Sequence, residues 1–375
     1  MKIAVFYYIK FSGAKRVVQE HVKGLIALGH SVDVYTTDSA LDIFDPGKFA
    51  YNKYEYSFDP EVINIPVLKR IKADFIDTFL SLRLLHRRIA RDIDSRNYDI
   101  VLVHTDINTQ APFLLRFLKT NNVYYCLEPL RNAYEYSLRF KGNYSLINLF
   151  YENINRWIRK NIDRKNTSSA KNILTLSLFA RERIIAAYDL YPKVSYLGVD
   201  ESVFKPFRVK KQKQVFFVAE KYPIYGYDLA QEAIRLIPAA IRPKLKIVSW
   251  KSNNGDRLSD KELATLYSES LVTLSLSRYD TFGLVPLESM ACGVPVIALN
   301  VAGYRETMLD GQTGYLVDFD PKAIAEKITF LIENEDIREK MGQNGRRWVE
   351  DKWTWEKQIK ELDITLRELV KNKHS

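Results

Sequence analysis

The sequence predicts an α/β protein of two domains, each built from parallel strands alternating with helices. Three observations carry that reading. The length of 375 residues suits two domains better than one, and a hydrophobic content of 46% is ample for two packed cores. Short apolar runs of strand length recur with helix-period segments between them, which implies parallel βαβ units. Gly198–Pro206 reads as a hinge between two such series.

In the first series, Lys2–Tyr8 is an apolar strand, too short for the core of a signal peptide. Val17, Val18, His21, Val22, Leu25 and Leu28 then follow a helical period. Val32–Thr36 alternates as a strand, and Ile100–His104 and Val123–Cys126 are apolar strands. In the second series Val215–Ala219, Leu245–Ser249, Leu271–Leu276, Val294–Leu299 and Tyr315–Val317 read as strands with helices between them. The last segment, about 337–371, is helical and charged. The expected domains are 1–200 and 207–350, followed by a C-terminal segment 351–375.

Composition narrows the function. The two cysteines, Cys126 and Cys292, and five histidines without ligand spacing give no disulfide framework and no metal site, in keeping with a reducing compartment. No apolar run approaches the roughly 18 residues that span a bilayer. A cytoplasmic protein is expected. The net charge of +10 either favours an anionic surface or ligand or only maintains solubility, and no nucleic-acid partner is expected.

Two segments are basic and amphipathic. In 68–91, Leu68, Ile71, Phe75, Phe79, Leu82, Leu85 and Ile89 form an apolar stripe among arginines and lysines. In 146–165 the stripe is Leu146, Phe150, Ile154, Trp157, Ile158 and Ile162, with Arg156, Arg159, Lys160, Arg164 and Lys165 elsewhere on the helix. Such helices lie on an anionic membrane, peripherally, or simply pack their stripe on a core with solvated charges opposite.

The most chemically suggestive stretch runs from Ser277 to Ile297 as strand, loop, helix and strand. Pro286 suits a first helical turn, and Gly293 with Pro295 ends the helix. The N–H groups of Thr281, Phe282, Gly283 and Leu284 at a helix start offer an anion site, and Gly283 permits close backbone approach. Asp280 and Glu288 flank the loop, and each can accept hydrogen bonds from hydroxyls. Phosphate plus hydroxyls describes a sugar nucleotide. The same residues allow a plainer reading, with Glu288 a first-turn glutamate and Asp280 a turn residue. At the first strand-to-helix turn, Gly13 is either a second N–H nest or an ordinary turn glycine.

This stretch resembles the donor-site signature of family-four glycosyltransferases. That family shows two glutamates eight residues apart around Phe-Gly-Leu; here the first is Asp280 and the second Glu288. The resemblance extends through Ala302-Gly303-Tyr304-Arg305-Glu306, through Asp310 to Val317, and to Trp353-Thr354-Trp355. It also covers Met1 to Val5, Ser12 to Arg16, Gly29 to Val32 and the 198–206 stretch. It implies the GT-B fold, an α/β architecture of two Rossmann-like domains facing each other across a cleft, with the C-terminal helix crossing back to the first domain. It implies a retaining sugar transfer from a nucleotide-sugar donor to a glycan or lipid-linked glycan acceptor, without cofactor or metal. Asp280 would then hold donor sugar hydroxyls as a catalytic residue and Glu288 the ribose hydroxyls, with Gly13, Thr281, Phe282, Gly283 and Leu284 also at the donor.

The chain departs from the family at two places. The Arg and Lys that hold the donor phosphates are replaced by Glu220 and Tyr225, leaving Lys221 either as a cation that reaches inward by a register change or as an ordinary surface lysine. The site histidine after the strand at Tyr124-Tyr125-Cys126 is replaced by Leu127, leaving Glu128 as the polar, catalytic candidate at that strand end. His104 and Arg131 are the acceptor candidates; the alternative for His104 is a surface histidine at a strand end. These departures sustain a rival expectation, a degenerate GT-B protein that binds a glycan or partner without transferring sugar. A nicotinamide dehydrogenase is disfavoured because the first turn, Phe11 to Arg16, has one glycine rather than Gly-x-Gly-x-x-Gly.

Overall fold

The structure is a computed structural model that describes residues 1–9, 13–37, 44–58, 72–135, 145–219, 221–249 and 258–372, without the side chains of 73 and 74. The chain divides into two compact units. Unit 1 comprises Met1–Leu176, Ala180–Ser195 and Ile359–Ser375; unit 2 comprises Ser177–Phe179 and Tyr196–Gln358.

Unit 1 is a seven-stranded sheet in the order β3-β2-β1-β4-β5-β6-β7. The strands are β1 (Lys2–Tyr8), β2 (Ser31–Thr36), β3 (Asn52–Glu55), β4 (Ile100–Asp106), β5 (Asn122–Tyr125), β6 (Asn172–Thr175) and β7 (Lys193–Val194). Every neighbouring pair is parallel. β1 and β4 lie at the centre, and both are apolar and buried nearly throughout, as strands covered on two faces must be. The helix Gly13–Ala27 follows β1 and ends just before Gly29, whose φ of +83° lets the chain turn sharply into β2. From Ile359 onward the C-terminal helix, Trp355–Lys371, belongs to this unit. Its Ile359 side chain lies so close to Gly24 that a Cβ there would come within 2.6 Å of Ile359 Cγ1. Further along, Asp363 Oδ1 lies 2.8 Å from His30 Nε2.

Unit 2 is a five-stranded parallel sheet in the order β12-β11-β10-β8-β9. Its strands are β8 (Gln214–Val218), β9 (Lys244–Val248), β10 (Val272–Ser275), β11 (Val296–Leu299) and β12 (Gly314–Val317). Its core joins β8 and β10 to the helices Tyr227–Leu236 and Pro321–Glu333 through Phe217, Leu229, Leu274, Ile324 and Ile328. The chain therefore holds two α/β units of parallel strands, the fold class that the sequence predicts.

Some elements differ from expectation. β3, β6 and β7 are short strands that the sequence reading does not anticipate; β3 is Asn-Lys-Tyr-Glu, polar and mostly exposed, and gives no apolar signal. The 337–371 segment is two helices, Glu335–Lys352 and Trp355–Lys371. They break where the Val199 N–H donates to the Trp353 carbonyl over 2.8 Å. In the first basic segment, Leu82 and Ile89 are fully buried, so that stripe is a core face; Leu68 to Ile71 lie outside the described residues. In the second, Leu146, Phe150, Ile154 and Trp157 are exposed on the helix Leu146–Thr167, and Ile158 and Ile162 are half-buried.

Candidate functional site

In an open parallel sheet, ligands bind beyond the carboxyl ends of the strands where strand order reverses. In unit 2 that reversal lies between β8 and β10. Gly226, with φ +80°, brings the segment after β8 against the end of β10; a Cβ on it would lie 2.3 Å from the Leu276 carbonyl oxygen. The loop that leaves β10 contains Asp280 and leads to Gly283, which takes φ +101° and starts the helix Leu284–Ala291. From the neighbouring β11, Gly303 lies directly on this loop: a Cβ would approach the Phe282 Cα to 2.4 Å. The Gly303 N–H also donates to the Asp280 carbonyl over 3.1 Å.

Asp280 organises the loop. Its Oδ1 accepts the N–H groups of Phe282 at 3.1 Å and Gly283 at 2.9 Å. Its Oδ2 accepts the Tyr304 hydroxyl at 3.3 Å. The turn reading of Asp280 is thus realised. The four-amide anion site is corrected accordingly, because Phe282 and Gly283 already donate to the carboxylate. The N–H groups of Thr281 and Leu284 have no such partner among the described residues. Burial, then the Asp280 charge, raises the Tyr304 pKa well above the usual tyrosine value and keeps the phenol a donor.

Glu288 is the fifth residue of its helix and only 4% exposed, so it is not a solvated first-turn glutamate. A buried carboxylate needs hydrogen-bond donors, and the Tyr267 hydroxyl supplies one at 3.0 Å. Glu306, on the short helix Tyr304–Thr307, accepts the N–H groups of Leu178 and Phe179 and the Tyr196 hydroxyl. Sequence reasoning did not single out Tyr267, Tyr304 or Tyr196. Tyr304 lies inside the 302–306 stretch that carries the resemblance, but its partner is set by tertiary packing. Lys221 is exposed just beyond β8, and Tyr225 closes the short turn Pro223–Tyr225; Glu220 lies outside the described residues.

In unit 1 the order reverses between β1 and β4. Gly13 opens the helix after β1, and nothing lies within 4 Å of a Cβ built there. Its φ is not positive, so neither packing nor backbone conformation demands glycine. His104, on β4, is wholly buried, with His21 Nδ1 3.4 Å from its Nε2 and the Tyr125 ring 5.5 Å away. It is neither a surface histidine nor one that presents an edge to an acceptor. Burial, with the neighbouring His21 charge, pushes its pKa well below the usual histidine value, so it stays neutral.

Glu128 and Arg131 stand beyond β5, and they hold each other. Arg131 Nε lies 2.7 Å from Glu128 Oε2 and 3.7 Å from Glu135 Oε1, and Glu135 also accepts from Arg183 at 2.7 Å. Burial raises the Glu128 pKa, and the Arg131 cation opposes it. Asp163 is fully buried and accepts from the Ala111 and Leu130 N–H groups and the Tyr188 hydroxyl, and desolvation pushes its pKa up to about 7. Asp106, at the end of β4, is also pushed up to about 7 by burial, 3.4 Å from the buried His86. Among the described residues no group of three or more His, Cys, Asp or Glu side chains is placed to hold a metal ion. Nor is any helix among them long and apolar enough to cross a membrane.

Two units of parallel strands alternating with helices define the doubly wound α/β class, and comparison with known proteins gives the family. The sequence model of Glycosyltransferase Family 4 matches residues 11–203, and that of Glycosyl transferases group 1 matches residues 255–348. The chain belongs to glycosyltransferase family 4. It is 26% identical over 210 residues to N-acetyl-alpha-D-glucosaminyl L-malate synthase of Bacillus anthracis, covering 54% of this chain and 55% of that one. Three of the curated relatives that it matches are spanned over 58%, 24% and 55% of their length. The fold is similar to sucrose-phosphate synthase of Thermosynechococcus elongatus, with a TM-score of 0.74, 19% identity and 98% of each chain covered. It is also similar to Anabaena HepE in complex with UDP and glucose, with a TM-score of 0.69, 16% identity and 98% and 99% of the two chains covered. These structural neighbours share the GT-B fold with this chain.

Proposed function

We propose that the protein is a glycosyltransferase that moves a sugar, with retention, from a nucleotide-sugar donor to a glycan or lipid-linked glycan. The observation that carries this reading is the loop from Asp280 to Gly283 running into a buried helix that holds Glu288, at the order reversal of unit 2 in a family-4 chain. HepE, a fold neighbour, is described in complex with UDP and glucose, which supports a nucleotide-sugar donor. The N–H groups of Thr281 and Leu284 would take a donor oxygen, and a ribose hydroxyl would share Glu288 with Tyr267. Phe282 and Gly283 would shape the loop by close backbone approach, and within unit 1 Gly13 would leave its own strand-to-helix turn open to a ligand.

Asp280 would act on the sugar through its outer lone pairs while its inner ones hold the loop. Lys221 is the nearest candidate for offsetting diphosphate charge at Glu220 and Tyr225, and transfer would proceed without metal. Glu128 and Arg131 would meet the acceptor as an ion pair, with Arg131 already committed to two carboxylates. We further place the protein at the cytoplasmic periphery of a membrane, where a lipid-linked acceptor resides. The reading is tested by incubating the protein with a panel of nucleotide sugars and glycan acceptors and following nucleotide release and product anomeric configuration by NMR. Product of retained configuration supports it; inverted product removes the retention assignment, and no turnover with any pair favours the glycan-binding alternative.

A further inference from the structure

We infer that unit 1 carries a built docking surface for an anionic lipid bilayer, formed by two neighbouring helical segments; this deepens the peripheral-membrane part of the proposed function. The first segment is a ten-residue π-helix, Lys72–Ser81, continued by the helix Leu82–Asp94. The second is the helix Leu146–Thr167.

Each presents one outward stripe that changes character along its length. On the second helix Leu146, Phe150 and Trp157 are 84%, 68% and 67% exposed. The same three- and four-residue spacing then continues through exposed Lys160 and Arg164. On the first segment Ile76, Leu80 and Leu84 are 48%, 55% and 56% exposed, and the stripe continues through exposed Arg87 and Arg91. The two segments touch, with the Phe75 and Tyr151 rings 6.3 Å apart and the Arg159 guanidinium 5.8 Å from the Phe79 ring centroid. Contacts at 75 with 151 and at 79 with 159 mean that both run in the same sense. The apolar parts of the two segments therefore adjoin, and each continues into its own basic part.

Large exposed apolar side chains grouped in this way cost free energy in water unless something covers them. A second copy of the chain or a protein groove would account for the apolar ends alone. It would not explain two parallel basic continuations. On the second helix the acids are Glu152 and the buried Asp163, so its exposed stripe carries no negative charge. An apolar end that enters the acyl boundary beside cations at the headgroup level fits an anionic bilayer.

The test uses the full chain without donor or acceptor, so its outcome is independent of sugar transfer. Co-sedimentation is measured with phosphatidylglycerol–phosphatidylcholine vesicles and with pure phosphatidylcholine vesicles. Quenching of Trp157 by brominated lipid is read against Trp157→Phe. Binding to the anionic vesicles alone is expected, with quenching that Trp157→Phe removes. Lys160→Glu with Arg164→Glu should weaken that binding about thirtyfold, and Phe150→Ser with Trp157→Ser should weaken it similarly, all with unchanged circular dichroism. No binding to anionic vesicles, or binding untouched by these exposed substitutions, would overturn the inference. So would concentration-dependent dimerisation that Phe150→Ser abolishes in the absence of vesicle binding.

Discussion

Tyr304 and Asp280 are joined across two strand ends: the buried phenol donates to Oδ2 at 3.3 Å, while Oδ1 of the same carboxylate accepts two amides of its own loop. The residue expected to hold sugar hydroxyls is thus also the residue that shapes the loop. The two roles separate by substitution. Asp280→Asn keeps an oxygen for Phe282 and Gly283, so the loop should persist and thermal stability should change little. Turnover should fall by more than tenfold while nucleotide affinity stays within a few-fold. Equal losses in both, by calorimetry and steady-state kinetics, would remove Asp280 from the sugar. Tyr304→Phe should cost about 1 kcal/mol of stability, one hydrogen bond, and raise the donor KM.

Glu288 pairs with Tyr267 inside unit 2, and the proposed ribose contact needs that carboxylate. Tyr267→Phe leaves Glu288 in place and should reduce nucleotide affinity only a few-fold. Glu288→Ala should reduce it roughly ten- to hundredfold, the usual range for a hydrogen bond to a charged group. Fluorescence or calorimetric titration with nucleotide alone distinguishes these, and equal small effects would place the ribose elsewhere.

Gly13 has room for a methyl group within unit 1, and its backbone does not require glycine. Gly13→Ala should leave the melting temperature unchanged or slightly higher, since alanine favours the helix that starts there. If the donor approaches this turn, the same variant should weaken donor affinity by tenfold or more. Unchanged affinity would make Gly13 an ordinary turn residue.

Asp163 gives a pH prediction with a definite sign. Its pKa is raised to about 7 in the folded protein, against about 3.9 in the unfolded chain. The folded state therefore holds the proton more tightly. Its stabilising effect is fully present below about pH 4, declines as pH rises, and is gone above about pH 7. In Asp163→Asn that decline should disappear, because an amide does not titrate in this range, while its oxygen can still accept from Ala111. Relative to the parent, the variant should gain roughly 2–4 kcal/mol between pH 4 and pH 7 in urea titrations. A constant difference across that range would contradict the assignment.

Much of the scaffold was legible in the sequence because buried parallel strands are continuous apolar runs. β1, β4, β8 and β10 read directly for that reason. β7, two residues long, and the polar β3 carry no periodicity, and only pairing with a neighbour makes them strands. The break at Trp353-Thr354 depends on a backbone bond to Val199, which no local pattern encodes. At the site, the loop, Gly283 and the helix after it were legible from turn and helix signals alone. What the sequence did not disclose was how the side chains would be used. The single methylene of Asp280 lets it fold back onto Phe282 and Gly283, and the burial of His104 depends on where His21 and Tyr125 pack.

The central claim is that the segment 280–288 receives a nucleotide sugar. Isothermal titration of the full chain with a nucleotide-sugar panel that includes UDP-glucose, repeated with Glu288→Ala, tests it most directly. The account predicts saturable binding of at least one donor, weakened at least tenfold by the substitution in a protein that melts as the parent does. Binding of no donor, or binding that Glu288→Ala leaves intact, would contradict it.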